Sequence, residues 1–305
     1  MIGAGVLVLA VAVLVAVLGP PLGRRLPPAM ATRVLVPAAV AVAMATGAVL
    51  GIAAFTLIGQ VPQIAEAGRW SAQVVRDADP VPAVIAVVCG LLVLYAAGRA
   101  IVLLVRRVVA FTRVQAACRD HRGGTLIVLD DDRPDAFATA GWRARIVVTT
   151  GLLRALDRRQ RQVVLAHERS HVIHRHAWWI LAADLAAAAN PLLTPTARTV
   201  AHAVERWADE DAAAEVADRR LVARAVGRAA LLRRRFPPAP APTPSAVGGN
   251  VPDRVAALLE PAPERRLRHV VLLAVLLLVL AGGSALVSER GRELFAHADI
   301  SQQHD

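Results

Sequence analysis

The chain contains no lysine, so all 35 of its basic residues are arginine, a bias that we attribute to GC-rich coding. Aromatic residues make up only 4% of the sequence and charged residues only 19%, whereas 56% are hydrophobic. This balance excludes an intrinsically disordered protein and disfavours a soluble enzyme with an ordinary core. There are only two cysteines, Cys89 in an apolar run and Cys118 in a basic stretch, which argues against a disulfide framework.

Charge is almost absent from several long apolar runs. A helix that crosses a bilayer needs about 20 apolar residues, and four runs meet this requirement: 2–22, 34–58, 81–105 and 270–287. The first run lacks the basic start of a cleavable signal peptide, so we predict that it is a retained span. A fifth segment, 177–193, is apolar apart from Asp184 and is either a span or a helix that is buried or rests in the membrane.

Arginine is distributed unevenly around these four spans. Eleven arginines flank the spans on one side and four flank them on the other. The positive-inside rule therefore predicts a multi-pass protein of the plasma (inner) membrane, with the N-terminus and the tail from residue 289 outside. Residues 106–268 would then be cytoplasmic. Their basic charge suits either nucleic acid or an anionic inner leaflet, and we favour the leaflet because no nucleic-acid-binding motif is visible.

The cytoplasmic segment mixes strand and helix patterns. Residues 125–129 and 143–150 are predicted strands, whereas 152–176 and 199–232 are predicted long helices. Residues 236–250 are rich in proline, alanine and glycine, which is typical of a linker, and 251–259 is a short helix candidate.

One motif in this segment carries chemistry. Residues 167–171 read His-Glu-Arg-Ser-His, an HExxH sequence inside a predicted helix. Residues four apart on a helix share one face, so His167 and His171 can bind one zinc ion while Glu168 acts on a coordinated water. The plainer alternative is a helix with two ordinary surface histidines.

A catalytic zinc site needs a third protein ligand and a position open to water. The downstream Glu205-Arg-Trp-Ala-Asp209 resembles the Glu-x-x-x-Asp of glutamate-type zinc peptidases. Glu205 would be the third ligand, and Asp209 would orient a ligand histidine. The alternative is a solvated acidic face. His202, one turn before Glu205, is a candidate donor to the tetrahedral intermediate.

The motifs together resemble a known family of membrane metallopeptidases. They are AFATAGWRARIVVTTGLL (136–153), VVLAHERSHVIHRHAWW (163–179), NPLL (190–193) and ERWADEDAA (205–213). They resemble the β-lactam sensor-transducer (antirepressor) metallopeptidases and, more distantly, the heat-shock and CAAX-processing membrane proteases. The resemblance implies zinc ligands His167, His171 and Glu205, Glu168 as general base and acid, and Asp209 behind the ligands. It also implies that strand 143–150 is the sheet edge that holds an extended substrate.

The sequence departs from this family at two points. Arg169 puts a charge between the two histidines, where zinc peptidases generally have uncharged residues. The tail after the fourth run, 288–305, is too short for the extracellular penicillin-binding domain of the sensor-transducers. We therefore do not carry β-lactam sensing over to this chain.

Two further histidines and two charged residues of the apolar runs have plainer explanations than catalysis. We interpret His174 and His176 as a basic helix end rather than as extra ligands. Asp184 should have a polar partner or face water, and Arg99 should extend to the inner interface.

These features predict a mainly α integral membrane protein with four transmembrane helices and a cytoplasmic, gluzincin-like α+β zinc-peptidase domain. The predicted regions are a membrane domain (1–105), the peptidase (106–235), a linker with a short helix (236–268), a fourth span (269–288) and an outside tail (289–305). The predicted function is a one-zinc metalloendopeptidase that acts on a protein substrate, such as a DNA-binding repressor, without binding nucleic acid itself. Oligomerisation stays open. The alternatives are a heat-shock-type quality-control protease or a non-catalytic membrane sensor.

Overall fold

The computed structural model describes residues 2–68, 71–73, 81–118, 124–141, 144–234 and 250–261, with scattered positions between 271 and 289. Within these ranges the chain is mainly helical. The linker at 236–249 and most of the predicted fourth span and tail lie outside the described residues, so those predictions stay predictions.

Three helices in the N-terminal part are long and apolar enough to cross a membrane. They are α1 (Ile2–Arg24), α2 (Pro28–Ile58) and α4 (Ala83–Ala117), and the short α3 (Pro62–Gly68) follows α2. The helices continue beyond the predicted spans, and α4 carries its apolar run directly into the basic stretch around Arg113. Most side chains of α4 face outward, as expected of a helix that faces lipid.

A three-stranded sheet follows α4. Its strands are β1 (Leu126–Leu129), β2 (Ala136–Ala138) and β3 (Ile146–Thr149), in the order β1-β3-β2. β3 pairs in parallel with β1 and antiparallel with β2, and all four of its residues are buried. The prediction that strand 143–150 forms the substrate-holding edge is therefore wrong. β3 is the central strand because the unpredicted β2 covers its other side.

The two predicted long helices are each divided. Residues 150–189 form α5 (Thr150–Ala155), α6 (Arg158–Ile173) and α7 (His176–Ala189), and after a 3₁₀ turn at Pro191–Leu193 come α8 (Thr194–Val216) and α9 (Arg219–Arg234). Asp157 starts α6 through a capping box with Gln160. Left-handed backbone at Arg175 and Ala217 ends the helices before them. The short helix α10 (Val251–Leu259) forms as predicted.

The hairpin of α7 and α8 is packed into the membrane helices. One core joins side chains of α1 and α2 with Ala183, Leu193 and Val200 of this hairpin. α7 has 14 residues, which corresponds to about 21 Å of helix and is shorter than the bilayer core of about 30 Å. The segment 177–193 is thus a helix packed beside the spans, too short to cross alone.

Residue 151, at the start of α5, must be glycine because the backbone of Asp132 passes too close for a side chain. A Cβ atom at this position would lie 2.1 Å from the backbone carbonyl oxygen of Asp132. The amide of Gly151 also donates to the carbonyl of Asp131, at 2.8 Å. This contact holds the turn after β1 against the end of β3, which fixes the sheet in front of α6.

Candidate active site

Two helices bring the predicted ligands together. α6 carries His167 and His171, α8 carries Glu205 and Asp209, and the two helices pack side by side. The Nε2 atoms of His167 and His171 are 3.2 Å apart, and each lies 3.6 Å from a carboxylate oxygen of Glu205. These three residues form a group whose donor atoms all lie within 4.8 Å of one another. The structure therefore assembles the predicted triad.

The spacing of these donor atoms suits a zinc ion. A tetrahedral ion with bonds of about 2.0–2.1 Å separates its donors by about 3.3–3.4 Å, close to the distances of 3.2 and 3.6 Å found here. The net charge of the buried side chains also suits a divalent metal ion. Glu168, Glu205 and Asp209 are three buried acidic residues, and Arg254 is the buried guanidinium beside them. If all four are ionised, two negative charges remain, which a divalent cation would balance.

Asp209 lies behind the first histidine, as predicted. Its carboxylate oxygen is 3.0 Å from Nδ1 of His167, the ring nitrogen that points away from Glu205. Burial alone would lower the pKa of His167, but the carboxylates of Asp209 and Glu205 outweigh burial and raise the pKa to about 9. The two carboxylates thus stabilise a positive charge at the position where a metal ion would bind.

Arg254 is a part of the site that the sequence analysis missed. Its guanidinium donates two hydrogen bonds of 2.7 Å to the carboxylate of Asp209 and lies 2.9 Å from Glu205. Burial opposes ionisation of both acids, yet these contacts and the nearby histidines hold the pKa values of Glu205 and Asp209 below their usual range. Because α10 follows the linker, no local spacing in the sequence connects Arg254 with HExxH.

His176 is the second residue that the sequence analysis misjudged. It is fully buried at the start of α7, with Nδ1 placed 3.0 Å from Nδ1 of His171. Burial, reinforced by the neighbouring histidines, lowers the pKa of His176 to about 2, so the ring is neutral. The interpretation of His176 as a charged helix end is wrong, because α6 ends at Ile173 and the chain turns inward.

Glu168 faces a small cavity at the centre of this arrangement. The cavity holds about 70 Å³ and is lined by Ala136, His167, Glu168, Glu205 and Arg254, among others. A water molecule occupies about 30 Å³ in the liquid, so the space suits about two waters. Ala136 places the edge strand β2 on this cavity, which brings a sheet edge next to Glu168.

The remaining candidates lie elsewhere. His202 lines a different, larger cavity between α4 and α8, so the structure does not place it with Glu168. Burial and the nearby Arg206 lower its pKa. Arg169 is half exposed and pairs with Glu215 at 2.6 Å, so the unusual charge in the motif points to solvent rather than to the ligands. Asp184 has its expected polar partner, Arg107.

Comparison with known proteins supports a peptidase. Residues 104–190 match the family model described as Peptidase family M48. The chain is 54% identical over 50 residues to the protease HtpX homolog of Acidiphilium cryptum, covering 16% of this chain and 17% of that protein. It is 46% identical over 61 residues to protease HtpX of Legionella pneumophila (strain Corby), covering 18% and 22%. The match with the homolog of Paraburkholderia phytofirmans is 46% over 50 residues, covering 16% and 18%.

These matches are local. The chain aligns with less than a quarter of the length of these relatives. No solved structure matches the chain. The matched segment is thus similar to the M48 peptidases, a family typically zinc-dependent, and it overlaps the end of the third apolar helix and the HExxH helix. The matches do not support the sensor-transducer subfamily specifically, since these relatives carry the HtpX name.

Proposed function

We propose that this protein is a membrane-embedded zinc endopeptidase in which His167, His171 and Glu205 hold the metal. The observation that carries the proposal is the convergence of these three donors beside the buried carboxylate of Glu168. Glu168 is the general base and acid, and Asp209 orients His167. His202 stays a predicted hydrogen-bond donor to the tetrahedral intermediate. Its position does not support this role, because it lines the other cavity.

The chemistry divides between the metal and the side chains. A bound zinc ion supplies Lewis-acid polarisation and lowers the pKa of a coordinated water toward about 7. Glu168 takes the proton of the attacking water and then passes it to the leaving nitrogen of the substrate. The cavity excludes bulk water from this proton, because Glu168 is only 4% exposed.

The edge of β2 is the proposed substrate-binding strand. In the antiparallel pairing with β3, Thr139 donates to Arg145 and Thr149 donates to Asp135, so Phe137 also bonds toward β3. The N–H and C=O groups of Ala138 therefore point to the outer edge. An extended peptide paired there would pass the cavity that holds Glu168.

We place the site on the cytoplasmic side of the membrane. The guanidinium of Arg33, in the first two turns of α2, lies 4.6 Å from the centre of the ring of Trp207, two residues after Glu205 on α8. The site thus lies at the end of the spans that carries Arg24, Arg25 and Arg33, the end that the positive-inside rule assigns to the cytoplasm.

We favour membrane-protein quality control as the biological task. The matched relatives are HtpX proteases, which fits the heat-shock alternative better than cleavage of a transcriptional repressor. A repressor partner is the second candidate, and it rests on the resemblance of the motifs to the antirepressor family.

A survey of new protein N-termini tests the two tasks. Cells of the native host carrying the wild-type chain are compared with cells carrying Glu168→Gln, with and without heat and envelope stress. Quality control predicts many wild-type-dependent cuts across membrane proteins. One or a few cuts in a DNA-binding repressor would establish the regulatory function instead. Identical N-termini under every stress would contradict proteolysis by Glu168.

His176 is expected to position the ligand His171. If Nε2 of His171 binds zinc, its Nδ1 carries a hydrogen and donates to the neutral His176. We expect His176→Phe to weaken zinc binding by about 10–100-fold, measured by competition with a chelator. His176→Asn should recover part of this loss, because Oδ1 takes the place of Nδ1 as acceptor.

The neighbouring His174 provides a matched control for this prediction. It stacks on Trp207 and pairs with Asp211 at 3.0 Å, away from the ligand nitrogens. His174→Phe should leave the zinc affinity within about threefold. Equal losses in both phenylalanine variants would assign His176 a packing role only.

A further inference from the structure

A large cavity lies where the membrane helices meet the peptidase helices. Its volume is about 1250 Å³, and it is bounded by α1, α4, α7 and α8. Four arginines line it: Arg24 at the end of α1, Arg99 and Arg106 on α4, and Arg198 on α8. Three separate helices thus bring guanidinium groups to one space, although the residues are far apart in the chain.

The cavity lies at the depth of the lipid headgroups. Arg99 and Arg106 are about 24 Å and 34 Å along α4 from its first residue, by the rise of 1.5 Å per residue. A bilayer core is about 30 Å thick, so these two arginines bracket the level at which α4 leaves it. Arg24, at the last residue of α1, marks the same end of the membrane domain.

In the part of the chain that the structure describes, no acidic side chain pairs with the four guanidinium groups. Among the described residues, none of the four forms an ion pair; Arg99 only lies 5.6 Å from the ring of Tyr95. The acidic residues that line the cavity are Asp184, which pairs with Arg107, and Asp253. The cavity therefore has an excess of positive charge.

Apolar groups complete the lining. Val102, Leu103 and Ala197 form part of the wall, and the outward side of α4 next to it presents exposed apolar side chains such as Leu94 and Ile101. A ligand with a negative head and long apolar chains could therefore place its head among the arginines and its chains along α4. Soluble phosphates match only the first of these two surfaces.

We propose that this cavity binds the phosphate-bearing headgroup of an anionic phospholipid. Guanidinium groups bind phosphate oxygens through paired N–H donors, and basic pockets between helices on the cytoplasmic side suit anionic headgroups. The lipid's acyl chains lie along α4. The proposal does not depend on the proposed peptidase activity, because none of the four arginines belongs to the zinc site.

Native mass spectrometry of the full-length chain in detergent tests the proposal. Phosphatidylglycerol and phosphatidylcholine with identical acyl chains are titrated separately, and the binding of the first lipid is measured. We expect phosphatidylglycerol to bind more tightly, and Arg99→Gln/Arg198→Gln to weaken it by roughly 10–100-fold. If that variant unfolds, Arg24→Gln/Arg106→Gln gives the same test from the other two positions.

The control removes the same charge elsewhere. Arg113 and Arg220 are exposed and do not line the cavity, so Arg113→Gln/Arg220→Gln should bind like the wild type. An excess of glycerol 3-phosphate should not displace the lipid. The proposal fails if Arg113→Gln/Arg220→Gln loses as much lipid affinity as the cavity variant, or if both lipids bind alike. It also fails if glycerol 3-phosphate displaces the lipid, since that result would indicate a soluble phosphate ligand.

Discussion

Replacing Glu168 with glutamine is expected to slow peptide hydrolysis by at least about 100-fold, because general acid–base catalysis typically contributes about 10²–10⁴. The amide cannot accept the proton of the attacking water. Zinc should stay bound, since the three donors come from His167, His171 and Glu205. The measurement is cleavage of an unfolded membrane protein by the purified chain in nanodiscs, with zinc determined by elemental mass spectrometry.

Glu215 provides the matched control for this substitution. It is half exposed and pairs with Arg169 on the outer side of the same site. Glu215→Gln should keep wild-type activity. Wild-type activity in Glu168→Gln would remove Glu168 from the mechanism, and loss of zinc from that variant would show that Glu168 supports the metal site instead.

Arg254→Met is expected to lower the free energy of unfolding of the zinc-free protein by about 3–5 kcal/mol, the usual cost of removing one partner of a buried ion pair. Arg254 is 8% exposed and Asp209 only 1% exposed, so water cannot replace the lost hydrogen bonds. Thermal or denaturant unfolding of the chelator-treated chain measures the change.

A second substitution separates charge from packing. Asp209→Asn in the Arg254→Met background removes one of the unbalanced carboxylates and should restore part of the stability. The exposed Arg224, on the neighbouring helix α9, serves as control, and Arg224→Met should change stability by less than about 0.5 kcal/mol. If Arg254→Met is as stable as Arg224→Met, the ion pairs of Arg254 contribute nothing to folding.

The parts of the site that were predictable are those set by local spacing. His167 and His171 lie four residues apart on one helix, so their convergence follows from helical geometry alone. Glu205 and Asp209 show the same spacing on α8, and the motif defines which faces of the two helices must meet. The short helix at 251–259 was also predictable, from its local pattern.

The parts that were missed depend on long-range packing or on breaks in helices. Arg254 reaches the site from α10, 49 residues after Glu205 in the chain, and no periodic pattern encodes that contact. His176 was misjudged because a left-handed residue, Arg175, redirects the chain after α6. The Asp157–Gln160 capping box was a readable signal that 152–176 is not one helix.

The sheet illustrates a third kind of error. The predicted strand 143–150 contains a run of five β-branched residues, Ile146 to Thr150, which predicts a strand but not its place in the sheet. β2 is only three residues long, 136–138, and carries too little pattern to be identified from the sequence. Because that short strand takes the outer position, it receives the substrate-binding role proposed for the edge.

The place of Arg254 along the chain also has a consequence for biosynthesis. Translation produces both histidines, Glu168, Glu205 and Asp209 well before it produces residue 254. Until α10 has been synthesised, Glu205 and Asp209 lack the guanidinium group that pairs with both of them. The buried cluster of charges can therefore be completed only after the helix that follows the linker has left the ribosome.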